Sequence, residues 1–391
     1  MEGREVVSDP RRAISVVREE IAGLPAVIRD QIATVWPAVR ALLDDLPIET
    51  IPGVVLTGCG DSYFAGLAAR RAFEHYSGLP ARAIGALDLA RYDVDTLPPG
   101  TLVLAVSYSG QVARTVEAAR NAAYVGATVV AITGHLERRL AATAGRVLPL
   151  AIPSPGYSLG TSTYAGLLLA LYLLAIGLGQ RRGVLTADRA QSLVDELRAM
   201  AVPVEGAIAA SSDSLRDYAA RLASDGTETV LFLGAGPNEA SALFGAAKLF
   251  EGAQLNGVAQ NTEEWAHAQY FISGPASRTV LLAPRGRSLD RAIEIATEMR
   301  FIGTPFLVIT DDAPDRWRAL TPEVVALPAG GPEMFSPLLL TVPLSLLGYE
   351  LAVARGKQSY NFASPEHERE HYQTLHESAF RDLSTLPRRE P

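Results

Sequence analysis

Three landmarks in this chain recur at nearly one interval, and that spacing constrains the fold more than any other feature. Gly58 and Gly234 lie 176 positions apart, as do Gly110 and Gly286. The segment from Gly126 to Thr133 is answered by Gly303 to Thr310, 177 positions on. Each landmark borders a short apolar run. Val54-Val55-Leu56 leads to Gly58-Cys59-Gly60, and Leu102–Val106 leads to Ser107-Tyr108-Ser109-Gly110. Later, Val230–Leu233 leads to Gly234-Ala235-Gly236, Thr279–Leu282 to Pro284-Arg285-Gly286, and Phe306–Ile309 to Thr310-Asp311. Helix-like stretches, Ser62–Tyr76, Ala113–Tyr124 and Glu239–Phe250, separate the runs. Short buried strands alternating with helices specify βαβ units and parallel pairing. The repetition predicts an α/β protein of two tandem doubly wound halves, each a central parallel sheet flanked by helices.

The organisation follows. Residues 1–45 form an N-terminal helical segment, because Ile14, Val17, Ile21 and Leu24 recur at helical spacing, as do Val27, Ile28, Ile32 and Val35. The first half spans 46–184, a helical connector 185–221, the second half 222–350, and a C-terminal segment 351–391 whose last fifteen or so residues are expected to be a loose tail. Charged residues are 20% of the chain against about 25% in an ordinary domain, with 48% hydrophobic, so the halves bury large cores. A net charge of −8 with no basic block argues against nucleic acid as a partner. The single cysteine, Cys59, excludes an internal disulfide and cysteine-built zinc sites, and fits a cytoplasmic setting. The opening residues have no apolar signal-peptide core. The longest apolar run, Ala165–Gly179, falls short of the roughly 18–20 residues of a membrane span and reads as a core helix.

Ligands of open α/β sheets bind at the carboxyl ends of the strands. Two such ends in the first half are rich in glycine and hydroxyl groups: Gly58-Cys59-Gly60-Asp61-Ser62 and Ser107-Tyr108-Ser109-Gly110. Glycine lets the backbone approach, a helix start offers unpaired N–H groups, and serine adds donors. Together they form a phosphate cradle without lysine or arginine. The second half has Ala283-Pro284-Arg285-Gly286 in the equivalent place, so one anion site is expected, in the first half. A dinucleotide fingerprint needs a third glycine where Tyr63 and Glu239 stand, and no cofactor is expected.

These motifs resemble the sugar isomerase (SIS) domain, and the tandem arrangement resembles the isomerase part of glucosamine-6-phosphate synthase, from about residue 14 to 364. The family's Cys-Gly-Thr-Ser and Ser-Gln-Ser-Gly-Glu-Thr read here as Cys59-Gly60-Asp61-Ser62 and Ser107-Tyr108-Ser109-Gly110-Gln111-Val112. The resemblance implies that Ser62, Ser107 and Ser109, with Tyr108 in the same turn, hold a sugar phosphate. Val112 replaces a threonine. The loop from Gly160 resembles the family's Ala-Ser-Thr-Lys-Ala and implies that Ser162 and Thr163, with Gly60, face the sugar. In the second half the family has Lys-x-x-Glu and a histidine sixteen residues after the glutamate; here these are Lys248, Glu251 and His267. The resemblance implies Glu251 as the base moving a proton between C1 and C2, Lys248 supporting the developing charge, and His267 acting at the ring oxygen or in proton transfer. It also implies a homodimer, with His267 reaching the neighbouring subunit's site. Such chemistry requires a carboxylate against the carbon and a cation or donor near the oxygen.

Two departures shape the functional expectation. The synthase's glutaminase nucleophile has no counterpart, since the only cysteine is Cys59. Its C-terminal Asn-Leu-Ala-Lys, whose lysine forms a Schiff base with the ketose, reads Asn361-Phe362-Ala363-Ser364, which leaves Asn361 and Ser364 at the sugar but no amine. A substrate already carrying its nitrogen at C1 or C2 needs none. The expectation is an isomerase-type enzyme acting on an amino-sugar phosphate or fructosamine phosphate. The alternatives are a sugar-phosphate-binding regulator and an ammonia-dependent partner of a separate glutaminase. His367-Glu368-Arg369-Glu370-His371, with Glu390 as a conceivable third ligand, spells a zinc-protease motif. It is rejected as a metal site because the segment is densely charged and lacks an apolar helix to shape one.

Overall fold

The computed structural model describes residues 13–153, 156 and 158–386. Both sheets have five parallel strands. The first is ordered β2-β1-β3-β4-β5, with β1 Val54–Gly58, β2 Ala81–Gly85, β3 Leu102–Val106, β4 Thr128–Thr133 and β5 Val147–Pro149. The second is β10-β9-β8-β6-β7, with β6 Thr229–Gly234, β7 Asn256–Asn261, β8 Thr279–Leu282, β9 Phe306–Thr310 and β10 Val324–Ala326. Read from the other edge this is the same order, so the two halves are alike in topology, as their spacing predicts. Strands β1, β3, β8 and β9 are buried along their whole length, which explains why they read as unbroken apolar runs.

The order reverses between β1 and β3, where Val54 pairs with Leu102, and between β6 and β8, where Leu231 pairs with Thr279. Crossovers leave these two points on opposite faces, opening a crevice at the strand ends. A second repetition appears in the helices. The helix Asp61–Ala72 ends in a π turn, Phe73–Ser77, and the helix Asn238–Lys248 ends in another, Leu249–Ala253. The π turns are again 176 positions apart. Such widened turns occur often at functional sites, and the second one carries Glu251.

One core joins the halves. Leu24, Ile32 and Val39 from the helix Ser15–Asp44 pack with Leu169, Tyr172 and Leu173 from Thr161–Arg181, and with Phe244, Leu340 and Leu347 from the second half. Thr161–Arg181 is 21 residues long and apolar enough to span a membrane, longer than the run visible in the sequence. Its sides are covered by protein, as are those of Ser336–Ala354, and each serves as a core helix. Smaller cores lie on the outer faces, one around Val103, Val129 and Leu140, the other around Trp265, Met299 and Trp317.

The expected loose tail is a correction. Residues 378–386 dock on the outer face of the first half, while 387–391 lie outside the described residues. Phe380, Leu383 and Leu386 join the core around Val103. The guanidiniums of Arg120 and Arg139 lie 4.9 and 5.1 Å from the Phe380 ring, and Arg114 donates to the Ala379 carbonyl at 2.7 Å. Arg381 pairs with Asp95 at 3.0 Å and donates its backbone N–H to the fully buried Glu117. Aromatic–cation contact and charge-assisted hydrogen bonds hold a polar segment that composition alone marks as free.

Candidate active site

The two glycine- and serine-rich turns expected to cradle an anion stand where β1 and β3 hand over to helices. Gly60 precedes the helix Asp61–Ala72 with φ +53°, a conformation that favours glycine. Ser62 sits in that helix's first turn. After β3, Gly110 donates to the Ser107 carbonyl at 3.1 Å, closing a turn with Tyr108 and Ser109 at its centre, and Gly110 has φ +64°. The hydroxyls of Ser62, Ser107 and Ser109 bond to no described residue, nor do the backbone N–H groups of Tyr108, Ser109 and Gln111. A cluster of uncommitted donors at a strand-to-helix turn is suited to an anion. The Tyr108 phenol takes no part, since it donates to the Ile152 carbonyl at 2.9 Å and its ring meets His135 edge-on. Only its backbone remains for a ligand. Val112 stands at the N-cap of Ala113–Tyr124 and provides no capping bond.

The second half's equivalent turn is occupied by a side chain of its own. A Cβ at Gly286 would stand 2.4 Å from the Glu333 carboxyl group. The Arg285 guanidinium pairs with Asp311, Nε lying 3.5 Å from Oδ2, and the Arg285 backbone N–H donates to the same carboxylate at 2.7 Å.

Beside the cradle lies a cluster of charges. Lys248, at the last position of its helix and with no exposed surface, donates to Glu251 Oε2 at 2.7 Å, to Asp61 Oδ2 at 2.8 Å and to the Leu159 carbonyl. An ammonium has three donors, and all three are engaged. The ammonium also lies 4.6 Å from the Phe244 ring, which stacks on Tyr164. Lys248 is thus a buried counter-ion holding two carboxylates, with all three donors spent inside the cluster. Asp61 and Glu251 keep 20% and 27% of their side chains exposed. Burial pushes Glu251 up to about 7; Lys248 opposes the shift and the Asp61 carboxylate adds to it. A carboxylate poised there is a competent base at neutral pH. Asp61 is pushed up by burial too, with Lys248 opposing.

Gly160 closes one wall, where a Cβ would meet Asp61 Oδ2 at 2.9 Å. Glu20, from the first helix, accepts from the Thr161 N–H at 3.1 Å and from the Ser158 hydroxyl, and so fixes the start of Thr161–Arg181. Ser162 and Thr163 stand in that first turn, Ser162 buried and Thr163 half-buried. From the C-terminal segment Tyr360 arrives, its N–H donating to the Glu251 carbonyl at 2.8 Å. Burial, with Glu251 and Asp61 nearby, raises its phenol well above the ordinary value.

Other expected residues make no side-chain bond to this cluster. Asn361 bonds to Gln358, and Ser364 caps the helix Pro365–Glu377 by accepting from the His367 N–H at 3.1 Å, so both side chains are spent locally. His267 is 67% exposed, on Glu263 at 3.2 Å, and makes no bond with the Lys248 cluster of its own chain. His367 and His371 pack on the Phe362 ring, no metal-binding cluster occurs among the described residues, and Glu390 lies outside them. The sequence reading missed Asp61, Glu20 and Tyr360. Asp61 was legible as a carboxylate where the family pattern has threonine. Glu20 was legible as an acid four residues after Val16 and four before Leu24 on the buried stripe.

Residues 52–177 match the SIS domain model, so the chain carries an SIS domain there. It is 30% identical over 359 residues to the glutamine–fructose-6-phosphate aminotransferase (isomerizing) of Streptomyces coelicolor, a match covering 91% of this chain and 56% of that protein. The chain therefore spans about half the length of the curated relatives it matches. Its fold is shared with the C-terminal domain of glucosamine-fructose-6-phosphate aminotransferase from Francisella tularensis, at a TM-score of 0.79 and 21% identity over 88% of this chain and 98% of that one. It is shared also with glucosamine-6-phosphate deaminase from Thermotoga maritima, at 0.59 and 19% over 86% and 95%.

Proposed function

We propose that this protein is an isomerase-type enzyme that removes the nitrogen from an amino-sugar phosphate or a fructosamine phosphate. The observation that carries the reading is the Glu251 carboxylate, tuned to titrate near 7 and held by a buried lysine next to a cradle of uncommitted donors. The cradle takes the phosphate through Ser62, Ser107 and Ser109. Glu251 then lies at the other end of the sugar, against its first two carbons. For a substrate with the amine at C1 and a ketone at C2, Glu251 takes a proton from C1 while the C2 oxygen gains one from water, giving an enolamine, and Glu251 then returns its proton to C2 as the nitrogen gives up its N–H proton to water. The product is an imine at C1. Water adds across the C=N bond, the amine leaves, and an aldose phosphate remains. With the amine at C2 and an aldehyde at C1 the same transfer runs in the opposite sense and leaves a ketose phosphate. Neither route needs the lysine that Ser364 replaces. The relatives' printed names, an isomerizing aminotransferase and a deaminase of glucosamine 6-phosphate, belong to the same C1/C2 nitrogen chemistry.

The active unit is a homodimer in this reading. His267 faces solvent, and Phe271 and Ile272 beside it are 78% and 83% exposed, an apolar patch of the kind partners cover. His267 would then serve the partner's site. Incubating candidate amino-sugar phosphates in heavy water and following label at C1 and C2 by NMR tests the proposal. Wild type should exchange and Glu251→Gln should not; equal exchange by the two refutes it.

A further inference from the structure

Lys248 is the one cation that bears on both Asp61 and Glu251 among the described residues, and its three donors are consumed within the cluster. A third carboxyl group, Glu20, lies close enough to feel the same ammonium and is itself buried. The reaction end of the site thus carries more carboxyl groups than cations. The serines and backbone N–H groups of the phosphate end are neutral donors, and the two arginines beside it, Arg114 and Arg138, are each paired with a carboxylate of their own, Glu117 and Glu137, so the imbalance is not cancelled there. Asp61 tips the balance. The SIS pattern has threonine at this position, which would leave Lys248 facing Glu251 alone, a neutral pair. Asp61 sits one residue before Ser62 and so spans the two ends, and Gly160 has no side chain to screen it. Coulomb attraction at the low effective dielectric of a partly buried site is several times that in water.

We infer that Asp61 is the specificity-determining residue that makes this site prefer a sugar phosphate bearing a protonated amine at C1 or C2 over its hydroxyl counterpart. Asp61 does this as a fixed negative charge paired with Lys248, not as a proton donor or acceptor. The inference rests on the function proposed above and adds the charge state of the substrate's nitrogen.

Carbonyl-free alditol phosphates serve as probes, because they fill the site without turning over. Calorimetric titration compares 2-amino-2-deoxyglucitol 6-phosphate and 1-amino-1-deoxyglucitol 6-phosphate with glucitol 6-phosphate. Wild type should bind at least one amine at least tenfold more tightly than glucitol 6-phosphate, about 1.4 kcal/mol. N-acetylation of that amine should abolish the preference in the unmodified protein, a test that needs no variant. In Asp61→Asn, which keeps an oxygen for Lys248, and in Asp61→Thr, the preference for the amine over glucitol 6-phosphate should fall to threefold or less. An unchanged preference in a variant that retains the wild-type circular dichroism, or no preference in wild type, overturns the role of Asp61 and leaves the proposed function standing. Failure of every sugar phosphate to bind overturns both.

Discussion

Replacing Lys248 with methionine removes a fully buried ammonium and leaves two carboxyl groups facing each other without a cation. At an effective dielectric of about 20, a pair of unit charges about 4 Å apart interacts by about 4 kcal/mol. Losing that attraction would raise the Glu251 pKa by up to about three units at 1.36 kcal/mol per unit. Protonation of Asp61 relieves part of the strain, since its charge itself pushes Glu251 up. The expected rise from the wild-type value of about 7 is therefore one unit or more. The base must be ionised, so the exchange rate in wild type should rise with pH and level off above about 7. In the variant the rising limb should move to higher pH. Activity at pH 7 should fall at least about fivefold and recover toward pH 9. Stability should show the same charge. Below the ordinary glutamate value of 4.5 both states hold the Glu251 proton; as pH rises to its folded value, the unfolded chain releases it first, so stability declines through that interval. In the variant the decline should be steeper and extend further, reaching about 3–5 kcal/mol relative to wild type at pH 8. Urea unfolding across pH and the pH–rate profile of label exchange measure both effects. A rising limb that stays near 7, or moves down, would refute the account of Lys248 as the counter-ion that keeps Glu251 in range.

Ser109→Ala and Ser107→Ala should each weaken binding of a phosphorylated sugar by about tenfold, the value of one hydrogen bond to a charged group, and leave binding of the dephospho sugar unchanged in calorimetry. Phe380→Ala should lower urea-unfolding stability by about 2 kcal/mol without altering KM, because the ring packs on the outer face of the first half. His267→Ala and Glu251→Gln should each be inactive alone, and refolding the two together should restore label exchange in mixed dimers; no recovery would argue against a site shared between subunits.

The duplication was legible because it is written in glycines and apolar runs, and both survive divergence for steric reasons: a left-handed turn at Gly60 or Gly110 and a strand buried on both faces leave few substitutes. Lys248 and Glu251 could be picked out by their spacing on a helix, but the π turn that sets their angle could not, since one extra residue in a turn leaves no periodic mark in so short a segment. Asp61 was visible only as a departure from a pattern. Its meaning came from the fold, which brings it to a lysine 187 positions away. Tyr108 shows the reverse. Its place in the motif was plain, yet its ring turned to Ile152 because a hydroxyl near a free carbonyl finds that partner first. The clasp at residues 378–386 was hidden because its anchors are arginines on helices far away in the sequence, each of which reads by itself as a solvated charge.

That clasp bears on how the molecule is assembled during synthesis. Phe380, Leu383 and Leu386 complete a hydrophobic layer whose other members lie between Val55 and Val147, all made more than two hundred residues earlier. The earlier half must leave the ribosome with an open flank, its row of guanidiniums waiting, until the distant segment emerges and seals it.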